Sequence, residues 1–362
     1  MPCSIRTRMI SRSPAQYREC AGKAESSAPA RKRPMAQADM RPRRRTEREG
    51  RWFMASVRLG QLAGRCKPRV FSMDSARPCA RIPRPAQEGD NMENIAFYGK
   101  GGIGKSTVAA GVSLSLALSG KRVLHVGCDP KHDSTAVLAR KGPAVTVLEQ
   151  LFRRPVEALR REDIVMPGIY NIDCVEAGGP QSGVGCGGRA VSRMFEIFEQ
   201  LSILDPKRYD VAIFDVLGDV VCGGFAAPLR AGISPKVVIV ASEEMMAGYA
   251  ANNIAGAVKH YAQNGVCLAG MVINLRDNQA DRAPIRRLAR RLGTRILAEI
   301  PRSPAIQRAE LDRRSVVEAA PRSDAARAIA ELADRILRLG RRQCRAPRPL
   351  DLEGVRAVMR GT

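Results

Sequence analysis

The sequence has no apolar run long enough to cross a bilayer, no clear secretory signal, no internal repeat and no close-spaced set of cysteines. The first absence excludes a helical membrane protein, and the second argues against export. The third excludes repeat architectures such as solenoids. The fourth argues against a disulfide scaffold and leaves metal binding or plain burial to explain the cysteines. Ten cysteines are present but scattered. Cys3, Cys20, Cys66 and Cys79 fall early; Cys128, Cys174, Cys186, Cys222, Cys267 and Cys344 follow.

The opening of the chain also lacks any sustained apolar period. Residues 1–90 carry 21 Lys and Arg against 8 Asp and Glu, within a total net charge of +24. Such a segment cannot bury enough apolar surface to offset chain entropy, so residues 1–91 read as a disordered basic arm. Three readings compete for it. One is an arm that touches nucleic acid or acidic lipid, and the second an organelle presequence. The third is translation from a misassigned start, since Met92 lies just before the first strand. We adopt the third and discount the basic pI as a sign of nucleic acid binding.

What the sequence does contain begins at Asn94. An apolar run from Ile95 leads into Gly99-Lys100-Gly101-Gly102-Ile103-Gly104-Lys105-Ser106 and then a small-residue helical pattern. This is GxxxxGK[ST] between a strand and a helix. The glycines let backbone N–H groups converge on a phosphate, and the helix N-terminus adds positive potential. Lys105 can reach the terminal phosphates, and the Ser106 hydroxyl can ligate magnesium.

Beyond it, apolar runs alternate with helical patterns. Strands are expected at 122–127, 171–176, 209–214, 236–241, 267–274 and 296–300. Helices are expected at 146–152, 190–204, 244–261, 280–292 and 323–339. The alternation predicts a single α/β domain over residues 92–339, a mostly parallel sheet with helices on both faces. The tail, residues 340–362, is basic and Pro-containing and receives no element. Strands that end in acids beside a phosphate loop face the nucleotide. Asp129 is placed to act on the attacking water or on magnesium, and Asp133 to hold its loop. His132 reads as a solvent-facing loop residue. Asp215 has the Walker B pattern, and Asp215 to Gly218 resembles the DxxG switch of nucleotide hydrolases.

Cys186 and Cys222 each sit in a glycine-rich loop after a strand, as Gly-Cys-Gly-Gly and Val-Cys-Gly-Gly. Two thiolates per chain are too few for an iron–sulfur cluster, but two chains about a two-fold axis would supply four. Two buried small hydrophobes, or a shared zinc, are the other readings. Lys100, an extra lysine near the loop's start, could serve a nucleotide bound by a partner chain or simply face solvent.

The runs YGKGGIGKST, GCDPKHDST, GGPQSGVGCGGR, DVLGDVVCGGFAAP, EEMMAGYAANNI and IPRSPAIQRAE cover residues 95 to about 318. Over that span the sequence resembles the nitrogenase iron protein family. That family includes the ATP-binding subunits of dark-operative protochlorophyllide reductase and chlorophyllide reductase. The resemblance implies a cytoplasmic homodimer with one [4Fe–4S] cluster bridging the subunits through the positions of Cys186 and Cys222. It implies MgATP on Gly99 to Ser106, with Lys100 reaching across the dimer. Asp129 to Asp133 would form a first switch, and Asp215 to Gly218 a second that runs into Cys222. Asn274, Arg302, Gln307 and Glu310 would surround the adenine, and Arg189 would dock the partner. The expected activity is ATP-gated one-electron transfer from ferredoxin or flavodoxin to a larger catalytic component, molybdenum–iron-protein-like or tetrapyrrole-reductase-like. A partitioning-type ATPase without a cluster is the reading from another class. Departures from the usual nitrogenase pattern include Glu243, Ala190 and Ser303, and residues 277–291 are rich in arginine.

Overall fold

The computed structural model describes residues 92–139, 145–180, 185–218, 223–224, 226–233 and 236–362. The basic arm, the cysteine at position 222 and the segment after Gly218 lie outside the described residues.

Eight strands form one sheet: β1 (Glu93–Tyr98), β2 (Val123–Cys128), β3 (Met166–Pro167), β4 (Ile172–Glu176), β5 (Val211–Val216), β6 (Lys236–Ala241), β7 (Cys267–Asn274) and β8 (Ile296–Ile300). Their order is β3-β4-β2-β5-β1-β6-β7-β8. Every pairing is parallel except β3 with β4. The helices are α1 (Lys105–Leu118), α2 (Val147–Arg153), α3 (Arg161–Ile164), α4 (Gly187–Gln200), α5 (Ala227–Arg230), α6 (Met245–His260), α7 (Ala283–Arg291), α8 (Pro304–Leu311), α9 (Val316–Ala319), α10 (Asp324–Arg338) and α11 (Leu352–Arg360).

Covering both faces of a parallel sheet demands strands that are apolar on both sides. Strand β1 meets this by alternation. Ile95 and Phe97 enter the core under α1, α9 and α10, while Ala96 and Tyr98 enter the core on the face of α4, α6, α7 and α11. Helix α4 buries Val191, Met194, Phe195 and Phe198 and exposes Glu196 and Glu199, the 3.6-residue pattern of a helix with one face on a sheet. Phe195 packs on Phe214 of β5 with ring centroids 5.7 Å apart, which ties α4 to the strand that carries Asp215.

Strand register aligns the functional ends. Asp215 pairs with Phe97 on one side and Gly127 on the other, and Gly127 pairs with Glu176. The carboxyl ends of β1, β2, β4 and β5 therefore share one edge, where a doubly wound sheet holds its ligand.

The tail contains an element that the sequence reading did not assign. Asp351 caps α11 by accepting from the Gly354 N–H at 2.7 Å, and Val355 and Met359 are buried beside α6 and α7. Asn252 of α6 clamps the approach, donating to the Leu350 carbonyl at 2.9 Å and accepting from its N–H at 2.8 Å. Truncating Val355 to Ala should cost about 1–3 kcal/mol in urea unfolding, because it opens a cavity at a fully buried site. Unchanged stability would mean that α11 does not pack there.

Candidate functional site: a phosphate loop linked to a cysteine-bearing helix

The chain leaves β1 through Gly99 and enters α1 at Lys105. Gly104 takes φ +83°, and a side chain there would strike Asn274, whose Nδ2 donates to the Ile103 carbonyl at 2.5 Å. The loop thus needs glycine at this position for both its backbone angle and the close approach of Asn274. Gly99 N–H points to the Gly218 carbonyl at 3.4 Å, joining the phosphate loop to the end of the DxxG segment. Lys100 is half-buried, and Gly101 and Gly102 are exposed.

Lys105 is buried and forms an ion pair with Asp215, which is wholly buried. Burial alone would raise the Asp215 pKa. The charge and hydrogen bond of Lys105, with hydrogen bonds from Ser106 and Ser134, outweigh it and hold the carboxyl below its ordinary value. The carboxylate therefore stays ionised at the base of the loop, next to the hydroxyl expected to ligate magnesium.

The loop after β2 carries the second acid. Asp129 is mostly buried and accepts from the Lys131 N–H at 2.9 Å. Its pKa is raised, chiefly by burial and against the pull of that N–H. Asp133 is exposed at the rim, as is His132. The loop's return is anchored underneath by two residues that sequence reasoning left without roles. Ser134 donates to Asp215, and Thr135 N–H donates to Glu176 Oε1 at 2.7 Å. Glu176 closes an apolar strand with a carboxylate, the same signal that identified Asp215.

A cleft of about 210 Å³ opens beside the loop, lined in part by Gly102, Gly104, Asn274, Arg302, Gln307 and Glu310. The four residues assigned to the base by resemblance are thus gathered at one place. Thr107 donates to Glu310 at 2.6 Å across it. Arg276 was missed. It donates to the Gly102 carbonyl at 3.0 Å, while its own N–H and that of Asp277 rest on Glu243. Glu243 therefore supports the loop that braces the phosphate loop.

Cys186 is exposed at the start of α4, which contradicts burial as a small hydrophobe. Arg189 is also exposed, and its N–H bonds the Cys186 carbonyl at 3.1 Å. The neighbouring glycines are there because of contact. A Cβ on Gly187 would lie 2.3 Å from Pro130, and one on Gly179 would lie 2.4 Å from it. Pro130, the residue after Asp129, is thus seated against the cysteine loop. A Cβ on Gly224 would lie 2.3 Å from the Gly188 backbone, so the segment that ends the second cysteine loop meets the first. An exposed thiol at a helix N-terminus, with backbone N–H groups beside it and Gly224 packed on Gly188, fits a thiolate-held cluster. Among the described residues no three His, Cys, Asp or Glu side chains converge as a metal site.

Burial raises the Glu176 pKa to about 8, with the Thr135 bonds opposing. The fold therefore favours the protonated acid. That contribution to stability is complete below the ordinary carboxyl range and is lost as pH rises through about 8. Glu176→Gln keeps the acceptor for Thr135 and cannot ionise. The Tm of the wild type relative to this variant should fall between about pH 5 and pH 8.5. Parallel Tm profiles would contradict the buried neutral acid.

Comparison with known proteins agrees with this geometry. The family described as 4Fe-4S iron sulfur cluster binding proteins, NifH/frxC family, matches residues 93–361. A protein named nitrogenase iron protein from Methanospirillum hungatei JF-1 is 42% identical over 272 residues, covering 74% of this chain and 95% of that protein. Among solved structures, the cell division ATPase MinD of Pyrococcus furiosus aligns with a TM-score of 0.56 at 24% identity, covering 69% of this chain and 100% of that one. The septum site-determining protein MinD of Pyrococcus horikoshii OT3, complexed with Mg-ADP, aligns with a TM-score of 0.54 at 21% identity, covering 68% and 96%. These two establish the P-loop NTPase fold. The chain belongs to the NifH/frxC family of 4Fe-4S iron sulfur cluster binding proteins.

Proposed function

We propose that the protein is an ATP-dependent electron-transfer reductase of the nitrogenase iron protein type, acting as a homodimer. The observation that carries this reading is the seat of Pro130 against Gly187. The loop bearing Asp129 and the loop bearing Cys186 are in direct contact, which offers a packed route from that carboxylate to the thiol.

In this reading Gly99 to Ser106 hold the phosphates, Lys105 neutralises their terminal charge and Ser106 ligates magnesium. Asp215 orients the magnesium side of the site, and Asp129 the attacking water. Asp133 braces the first switch loop, and Lys100 serves the nucleotide of the other protomer. Asn274, Arg302, Gln307 and Glu310 enclose the base. Hydrolysis removes the group that Lys105 and Asp129 face, and the loop after Asp129 then shifts its hold on Gly187.

Cys186 and Cys222 of both protomers would hold one [4Fe–4S] cluster. When bound, the cluster supplies one-electron redox chemistry. The surrounding glycine N–H groups tune the sulfur charge, and exposed Arg189 offers a cation to a docking partner. Ferredoxin or flavodoxin as donor, and a larger catalytic component as acceptor, complete the scheme in the cytoplasm. The name of the Methanospirillum relative favours a nitrogenase-type acceptor over a tetrapyrrole-reducing one. No helix among the described residues is long and apolar enough to cross a membrane.

Anaerobic purification should give about four irons and four acid-labile sulfides per two chains. Cys222→Ala should abolish the iron while leaving MgATP binding within about twofold, since no phosphate-loop residue changes. An iron-free wild-type protein after strict anaerobic handling would reject this function.

A further inference from the structure

A line of buried polar side chains runs from α1 to the base of the phosphate loop. Ser113 Oγ lies 2.8 Å from His125 Nδ1, and His125 Nε2 lies 3.0 Å from Ser134 Oγ. Ser134 then donates to Asp215 Oδ2, while Lys105 holds Oδ1. Ser113 and His125 are wholly buried, and Ser134 is nearly so.

The proton positions follow by elimination. A serine hydroxyl has one proton, and that of Ser134 goes to the Asp215 carboxylate. Ser134 Oγ can therefore meet His125 only as an acceptor, so Nε2 carries a proton. Burial drives the His125 pKa down to about 4, against the pull of Asp215, so the ring is neutral at physiological pH. Its Nδ1 is then an acceptor, and the Ser113 hydroxyl donates to it. Each of these donors finds one acceptor.

Polar groups in the middle of a sheet core are costly unless fully bonded. Here β2 otherwise reads Val-Leu-Val around His125. The network that satisfies the imidazole ends on the Asp215 carboxylate, which grips the phosphate-loop lysine. We propose that His125, as its Nε2–H tautomer, is a positioning residue for the Asp215 carboxylate, acting through Ser134 and backed by Ser113. The inference rests on the reading of this site as one for MgATP. Its consequence is that Asp215 is fixed at Oδ2 and presents Oδ1 to Lys105, with Ser106 also bonded to the carboxylate.

The test uses the anaerobically purified full chain with His125→Leu and His125→Gln. Leucine removes both bonds, whereas glutamine offers an amide N–H for Ser134. The quantity read is the ratio of ATP affinities with and without Mg²⁺, by calorimetry. Leucine should lower this ratio at least about fivefold, and glutamine should restore it to within about twofold of the wild type. A merely structural role would weaken both affinities together and leave the ratio unchanged, and that result overturns the proposal. ¹⁵N NMR of the wild type needs no variant to fold. The chain has three histidines, and the buried one should show a protonated Nε2 and a bare Nδ1 at pH 7. The opposite tautomer also overturns the proposal. A wild type that gains no ATP affinity from Mg²⁺ instead rejects the nucleotide reading.

Discussion

The ion pair between Lys105 and Asp215 is the constraint on which this structure depends. Both side chains are withdrawn from water, and a buried charge is tolerable only when paired and hydrogen-bonded. Removing one partner of such a pair typically costs about 3–5 kcal/mol, because the other charge is left buried. The pair therefore fixes the end of β5 against the start of α1. The glycine loop between β1 and α1 must curl over that junction. Ser134 closes the remaining carboxylate oxygen from the side of the Asp129 loop. Three chain segments far apart in sequence thus meet at one carboxylate.

Close backbone packing carries the constraint outward. Pro130 follows the second acid and is seated against Gly179 and Gly187, and Gly224 abuts Gly188. No side chain could be added at these glycines without moving a neighbour. Packed contacts of this kind transmit displacement in place of absorbing it. Phe195 on Phe214 adds an aromatic contact between the cysteine-bearing helix and the strand of Asp215. The exposed thiol of Cys186 is therefore tied to the phosphate loop along two paths, one through the Asp129 loop and one through the core.

Much of this was legible in the sequence, for physical reasons. The phosphate loop and Asp215 announce themselves because their signals are local: a fixed glycine spacing, and an acid that ends an apolar run. The parallel sheet followed from strand and helix alternation, and the deep fold relatives agree with it. The relay through Ser113 and His125 was not legible. A serine in a small-residue helix and a histidine in a strand carry no sign of each other until α1 packs on the sheet. Arg276 and Glu243 were hidden for the same reason, since their partners lie on other loops. Helix α11 was missed because only Val355 and Met359 of its own residues are buried, and it lies in a basic, glycine-containing tail.

The MinD structures share the fold at low identity, whereas the 4Fe-4S family match spans residues 93–361, which include Cys186 and Cys222. In this chain the loop after Asp129 packs on the Cys186 loop through Pro130 and Gly187. Hydrogen–deuterium exchange with and without MgATP measures that contact. If the loops are joined, nucleotide changes amide protection at residues 129–136 and at residues 185–189 together. Protection that changes only at residues 99–107 would contradict the linkage.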